Sequence, residues 1–272
     1  MSTVSRNFVY PIKSCRGIEV ESAELTPRGL AHDRRYMLID ANGRFLTQRR
    51  HPQMGRIEVA FDDGAYRVTA PGREALSLPF ALDSAVDTVC RVKVWNDTVE
   101  ATLAPPEINI WFSEFLGFAC GLVYLADDQH RAVTNEAAEF DDEVSFADGA
   151  PVLLISDASL AELNRRLTQP VTMRRFRPNL VVTADKPHAE DGWQRVKIGD
   201  AELDVGWPCA RCVLTTIDPE TGERDPGNEP MTTLTGYRRH NGGVHFGQNL
   251  LPRTLGRIDV GADCEINEIL AS

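Results

Sequence analysis

Apolar and polar positions alternate at a period of two along most of this chain, between punctuation by Gly, Pro and Asp. That spacing predicts half-buried strands. Residues 18–21, 35–39, 56–60 and 88–94 carry it in the first half. One stretch there has the other period: over 106–118, Ile108, Trp111, Phe112, Phe115 and Leu116 fall on one helical face behind a proline suited to a first turn. That stripe is read as core. Residues 151–155 are apolar throughout and predict a short buried strand, followed by a helix from Ser156 with Leu160, Leu163 and Leu167 on one face. Strand patterning resumes at 180–183, 195–198 and 201–205. Residues 213–217 also read as strand, because Val, Thr and Ile dominate them.

The pattern gives an α+β, β-rich chain with a few flanking helices. It has neither an internal repeat nor a low-complexity linker to fix a boundary, and a division into 1–120 and 121–272 is placed near residue 121. Between Asp218 and Pro230 lies a turn-rich loop with three prolines and two glycines. It exceeds an ordinary hairpin connection and is placed to form part of an active-site mouth.

Composition narrows the function. The chain has 272 residues, 42% hydrophobic and 25% charged, ordinary values for an enzyme-sized globular protein. A formal net charge of -11 disfavours sequence-independent nucleic-acid binding and an anionic membrane surface. The first residues hold no basic region followed by an apolar stretch, and no apolar run approaches the roughly 18 residues of a membrane span. A cytoplasmic protein is therefore expected. Its six cysteines do not resemble a disulfide framework. Glu136, Glu139, Asp141, Asp142 and Glu143 form an acidic stretch, read as a solvated face or a docking patch for a basic partner.

Cys209-Ala210-Arg211-Cys212 is the most distinctive chemistry. Three readings are open for this spacing: core packing, a metal or cofactor site, and a redox dithiol. A structural zinc needs about four ligands, and the remaining cysteines, Cys15, Cys90, Cys120 and Cys264, are scattered singly. A thioredoxin-like pair opens a helix, whereas strand is expected here. In an extended segment residues three apart face opposite ways, so one cysteine would act alone. Basic groups cluster at Lys13 and Arg16, at Arg34 and Arg35, and at Arg174, Arg175 and Arg177. Such groups in an acidic protein suggest anion binding.

Tyr10-Pro-Ile-Lys13-Ser14-Cys15-Arg-Gly17, Asp33-Arg34, Phe176-Arg177-Pro-Asn179 and Cys209-Ala-Arg211-Cys212 with Thr215-Thr216-Ile-Asp218-Pro-Glu-Thr-Gly222 occur in this order. Together they resemble the MOSC superfamily, and more narrowly the amidoxime-reducing components and their bacterial relatives. The resemblance implies a MOSC β-barrel domain with an N-terminal MOSC β-barrel domain, holding a molybdenum-molybdopterin cofactor. By the same resemblance Cys212 would bind the metal. Lys13, Ser14, Arg34, Arg177, Asn179, Ala210 and Arg211 would hold the pterin and its phosphate, and Asp148, Gly149 and Ala150 would line the site. Eukaryotic relatives carry a hydroxyl residue at the Ala150 position. Arg211 would supply a positive neighbour for the Cys212 thiolate.

The implied reaction is two-electron, two-proton reduction of N-oxygenated substrates such as hydroxylamines, N-hydroxylated bases or amidoximes. Asp218 is a candidate proton donor. A separate electron-donor protein of ferredoxin, haem or flavin type is expected, because the tail carries only Cys264 and lacks the spacing of a plant-type ferredoxin. Another branch of the superfamily implies the alternative, a cofactor carrier or sulfur-transfer protein using a cysteine persulfide; pyridoxal phosphate binding is associated with the superfamily as a whole.

Overall fold

The computed structural model describes residues 2–269, and its largest sheet closes on itself. Seven strands follow one another in space: Val152–Ser156, Leu180–Val182, Ser2–Val9, Asp263–Ile269, Trp193–Ile198, Ala201–Ala210 and Gly243–Thr254. The last pairs back onto the first, with Val152 opposite Leu250, so the barrel has no free edge. Val152–Ser156 and Leu180–Val182 run parallel. Such a pair needs a crossover, which the helix Asp157–Arg166 supplies, its first turn capped by the Ser156 hydroxyl accepting from the Ser159 amide. Inside the barrel, Val4, Leu154, Leu180, Val182, Val196, Ile198, Leu203 and Leu250 are almost wholly buried. Each such side chain contributes about 1.5–3 kcal/mol relative to exposure.

The first half also builds smaller sheets. Tyr36–Ile39, Gly121–Tyr124, Asp97–Leu103 and Val89–Val94 form a four-stranded sheet, and Glu58–Asp62, Ala65–Thr69 and Leu76–Pro79 a three-stranded one. The aromatic stripe forms the helix Pro106–Leu116, which opens on Pro106 and ends at Gly117 in the left-handed conformation, φ 80°. Ile108, Trp111, Phe112 and Leu116 pack against Tyr36, Leu38, Ile57 and Tyr66.

The two halves of the sequence interleave. Ser2–Val9 is a stave of the barrel, between Leu180–Val182 and Asp263–Ile269, and Ser22–Thr26 pairs with Gly256–Asp259. Residue 121 begins the strand Gly121–Tyr124, which pairs with Tyr36–Ile39 and Asp97–Leu103.

Three expectations need correction. Residues 213–217 are not a strand: Val213–Thr216 is a 3-10 turn. The hydroxyls of Thr215 and Thr216 donate to the carbonyls of Cys212 and Val213 at 3.1 and 2.7 Å, and such local bonds compete with a sheet ladder. The acidic stretch is not simply a solvated face, since Asp142 is buried against Arg253 at 2.6 Å and Glu143 accepts from Arg28 at 2.7 Å. Finally, strand pairing near 56–60 starts late, because Pro52–Arg56 is a 3-10 turn and the strand runs Glu58–Asp62.

Candidate cofactor cleft

A cleft of about 330 Å³ opens beside the barrel end where Ala201–Ala210 finishes. Its walls come from six stretches of sequence, and Lys13, Ser14, Arg34, Asp148, Gly149, Ala150, Arg177, Asn179, Ala210, Arg211 and Cys212 all line it. The structure therefore brings together in one place Lys13 and Cys212, 199 positions apart. Its size is that of a small-molecule site.

The cationic wall is built on Tyr10. Its buried ring carries the guanidinium of Arg34 on one side at 4.4 Å and that of Arg177 at 4.2 Å, and burial pushes its phenol up to about 12. Arg34 Nη1 donates to Asp33 Oδ2 at 2.5 Å and Asn179 Oδ1 at 3.0 Å, and Nη2 donates to the Arg177 carbonyl at 3.1 Å. Asn179 also accepts from the Leu153 amide at 3.2 Å and donates to the Phe8 carbonyl at 3.2 Å. It thus fixes Arg34 relative to two barrel strands. Arg177 Nη1 donates to the Cys15 carbonyl at 2.7 Å.

Ser14, Arg34 and Arg177 all have left-handed backbones, with φ 67°, 48° and 55°. Non-glycine residues adopt this region at a cost, and they cluster where function needs a particular direction.

Lys13 faces Asp148. Its ammonium donates to Asp148 Oδ1 at 2.5 Å and to the Phe146 carbonyl at 2.7 Å. Burial lowers the Lys13 pKa despite that partner. Asp148 lies on the open cleft wall, its side chain 67% exposed. Desolvation works against its charge, yet Lys13, Arg34 and the Trp95 indole outweigh that and hold its pKa well below the usual carboxylate range.

The strand Ala201–Ala210 delivers Cys209 and Ala210 to the cleft, with Ala210 opposite His245, and the chain then turns. Because the segment is not one continuous strand, the expected alternation fails: Cys209, half-buried, and Cys212, exposed, line the same cleft. Arg211 also departs from expectation. Its Nη1 donates to Cys209 Sγ at 2.9 Å and its Nη2 to the Phe176 carbonyl, so its charge sits against Cys209 rather than Cys212.

Asp218 is not among the cleft-lining residues. Its Oδ1 accepts from the Glu220 and Thr221 amides at 2.8 and 3.2 Å, and its Oδ2 from Arg175 at 3.1 Å, which makes it the anchor of its own turn. The loop it begins reaches back toward the first half, where Glu220 pairs with Arg16. Sequence reasoning gave no role to Phe176, Trp207 or Asn249, which line the cleft. Phe176 lies within a quoted motif, and Trp207 directly precedes Pro208 and Cys209. Arg131 carries no sequence signal either. It is 5% exposed and donates to Asp97 at 2.8 Å and to the Ser145 and Ala147 carbonyls at 2.8 and 2.6 Å.

Two buried guanidinium nitrogens of cleft residues, Arg177 Nη2 and Arg211 Nε, have no hydrogen-bond partner. Such a group costs about 1–3 kcal/mol or more when left unmade. Among the described residues, no group of three or more His, Cys, Asp or Glu is placed to hold a metal ion. No helix of the described residues is long and apolar enough to cross a membrane.

A closed β-barrel with a cationic, thiol-bearing cleft at one end, carrying smaller sheets from the first half, is the class of protein these features define. The chain belongs to the MOSC family: residues 1–119 match the MOSC N-terminal beta barrel domain and residues 141–265 the MOSC domain. It is similar to mitochondrial amidoxime reducing component 2 of Bos taurus, 35% identical over 246 residues, covering 88% of this chain and 73% of that protein. To mitochondrial amidoxime-reducing component 1 of Homo sapiens it is 31% identical over 277 residues, covering 96% and 82%. The molybdenum cofactor sulfurase of Solanum lycopersicum is 35% identical over 259 residues, which span 88% of this chain and 32% of the sulfurase.

Proposed function

We propose that the cleft holds a molybdenum-pterin cofactor and that the protein reduces N-hydroxylated compounds, such as amidoximes, hydroxylamines and N-hydroxylated bases, with electrons from a separate donor protein. The observation that carries this reading is the donor set. Two buried guanidinium nitrogens lack partners on residues of a cleft that also presents one exposed thiol. That set fits an anionic cofactor with a phosphate and a thiophilic metal, since guanidinium binds phosphate by paired hydrogen bonds and thiolate suits soft metals.

In this reading Arg177 and Arg211 grip the phosphate, while Arg34, held by Asp33 and Asn179, contributes charge from a fixed position. Cys212 supplies the metal thiolate. When bound, the cofactor supplies the two-electron redox chemistry. Lys13 is the proton-bearing group on the wall, at the Nζ that Asp148 and the Phe146 carbonyl orient. Asp218 is left to its turn.

Sulfur transfer is the second reading. It is supported by Cys209, a second cleft thiol in contact with a guanidinium, and by the likeness to sulfurases. Molybdenum analysis of wild type and Cys212→Ser, both purified from a host that makes the pterin cofactor, separates the two. The reductase reading expects near-stoichiometric metal in wild type, its loss in the variant, and reduction of benzamidoxime by the loaded protein with a chemical reductant. A well-folded wild type without metal, carrying labile sulfane sulfur on Cys209 or Cys212, would overturn it.

A further inference from the structure

Trp95 and Asn96 make the two-residue turn between Val89–Val94 and Asp97–Leu103. Trp95 sits there at φ 56°, a conformation that turns normally assign to Gly, Asn or Asp. A bulky residue persists in it only when its surroundings hold it, and here they do. The indole Nε1 donates to Asp148 Oδ1 at 3.2 Å, the oxygen that also accepts from Lys13. Arg131, through its bonds to Asp97 and to the Ser145 and Ala147 carbonyls, ties this hairpin to the cleft wall. Phe45 packs at 5.0 Å between ring centroids, and the Arg49 guanidinium stands 4.6 Å from the ring centre. Despite these ties Trp95 remains 40% exposed.

The result is a flat indole bonded to Asp148 of the cleft wall though not itself among the lining residues, packed against an aromatic ring, with the Arg49 guanidinium and the Lys13 ammonium 4.6 and 6.0 Å from its centre. Its exposed part is open to a planar ligand that extends beyond the cleft. Stacking of this kind selects for a π-face and is indifferent to the pattern of hydrogen-bonding groups. We propose that Trp95, with Phe45 and Arg49, is a stacking platform that makes this chain selective for N-hydroxylated groups carried on planar conjugated systems, over compact saturated hydroxylamines. This rests on the reductase reading and names the substrate class of that site.

The test uses cofactor-loaded protein with two probes, benzamidoxime, which is planar, and N-methylhydroxylamine, which has no π-face. The ratio of their kcat/KM values falls on the order of tenfold in Trp95→Ala, the usual scale of one stacking contact, and largely recovers in Trp95→Phe. Independently, benzamidoxime added without reductant quenches tryptophan emission in wild type more than in Trp95→Phe, the comparison that removes the contribution of Trp207, which lines the cleft. A ratio unchanged in Trp95→Ala, with circular dichroism showing a folded variant, overturns the platform. So does a quench of equal size in Trp95→Phe. If loaded wild type reduces neither probe, the reductase reading fails, and the quench still decides whether Trp95 stacks on a planar ligand.

Discussion

Arg211 lies against Cys209, with Nη1 at 2.9 Å from Sγ, while Cys212 three residues from Cys209 faces solvent. The two thiols of one motif thus meet different surroundings, and both differ from the cysteines of the interior. Burial pushes the Cys15 and Cys264 thiols up to about 12, so they stay protonated at neutral pH and below, and only the thiolate is nucleophilic. Iodoacetamide applied to the native protein at pH 8 is expected to label Cys212 and to leave Cys15 and Cys264 untouched, as read by peptide mass spectrometry. Labelling of Cys15 before Cys212 would contradict this arrangement.

Asp148 compensates an ammonium that is otherwise enclosed, since the Lys13 side chain is 6% exposed. Asp148→Asn leaves that charge with a neutral neighbour and is expected to lower stability to urea by about 1–3 kcal/mol. The loss stays below the ~3–5 kcal/mol of a wholly enclosed pair, because Asp148 itself is 67% exposed. Its depressed pKa sets the pH dependence. A carboxylate with a lowered folded pKa contributes its stability above the ordinary value of 3.8 and loses it as pH falls through the folded value. The stability gap between wild type and variant should therefore be level from pH 7 to 5 and close only below about 3.8.

The individual strands and the aromatic helix were legible in the sequence because their signals are local and periodic, alternation across half-buried strands and Ile108, Trp111, Phe112 and Leu116 on one face, whereas closure of the strands into a barrel was legible only through the family resemblance. The convergence of the cleft residues was legible only through family motifs, because no periodicity places Lys13 beside Asp148. Residues 213–217 misread as strand since threonine raises strand expectation while its hydroxyl, in Thr215 and Thr216, can instead close a local turn. Interleaving was also hidden. Ser2–Val9 pairs locally with Ile18–Val20, but its two neighbours in the barrel, Leu180–Val182 and Asp263–Ile269, lie more than 170 residues away.

Arg177 Nη2 and Arg211 Nε, buried without partners, predict that stability depends on loading. A ligand that satisfies them binds only the folded state, and at a hundred times its Kd such a ligand adds about 2.7 kcal/mol. Protein from a host that makes the pterin cofactor should melt several degrees above protein from a host lacking that pathway. Arg177→Ala should shrink the difference between the two preparations. An equal melting temperature for both wild-type preparations, with metal present in the first, would show that these groups are satisfied in another way.

Ser14 offers a test of whether the cleft stores strain. Its φ of 67° is a glycine-like value on a residue that is 8% exposed and lines the cleft. The left-handed backbone costs a non-glycine residue roughly 1–2 kcal/mol, and glycine adopts it freely, although its extra freedom in the unfolded chain returns about 0.5–1 kcal/mol of that gain. Ser14→Gly is therefore expected to be neutral or up to about 1 kcal/mol more stable to urea, whereas Ser14→Ala keeps the strained backbone and gains nothing. If the serine is retained for its hydroxyl in the cleft, both variants should retain less molybdenum after dialysis than wild type. Greater stability with poorer retention in Ser14→Gly is the signature of a site whose geometry is maintained against the local preference of the chain. A Ser14→Gly variant less stable than Ser14→Ala would show that the turn at residue 14 is not strained.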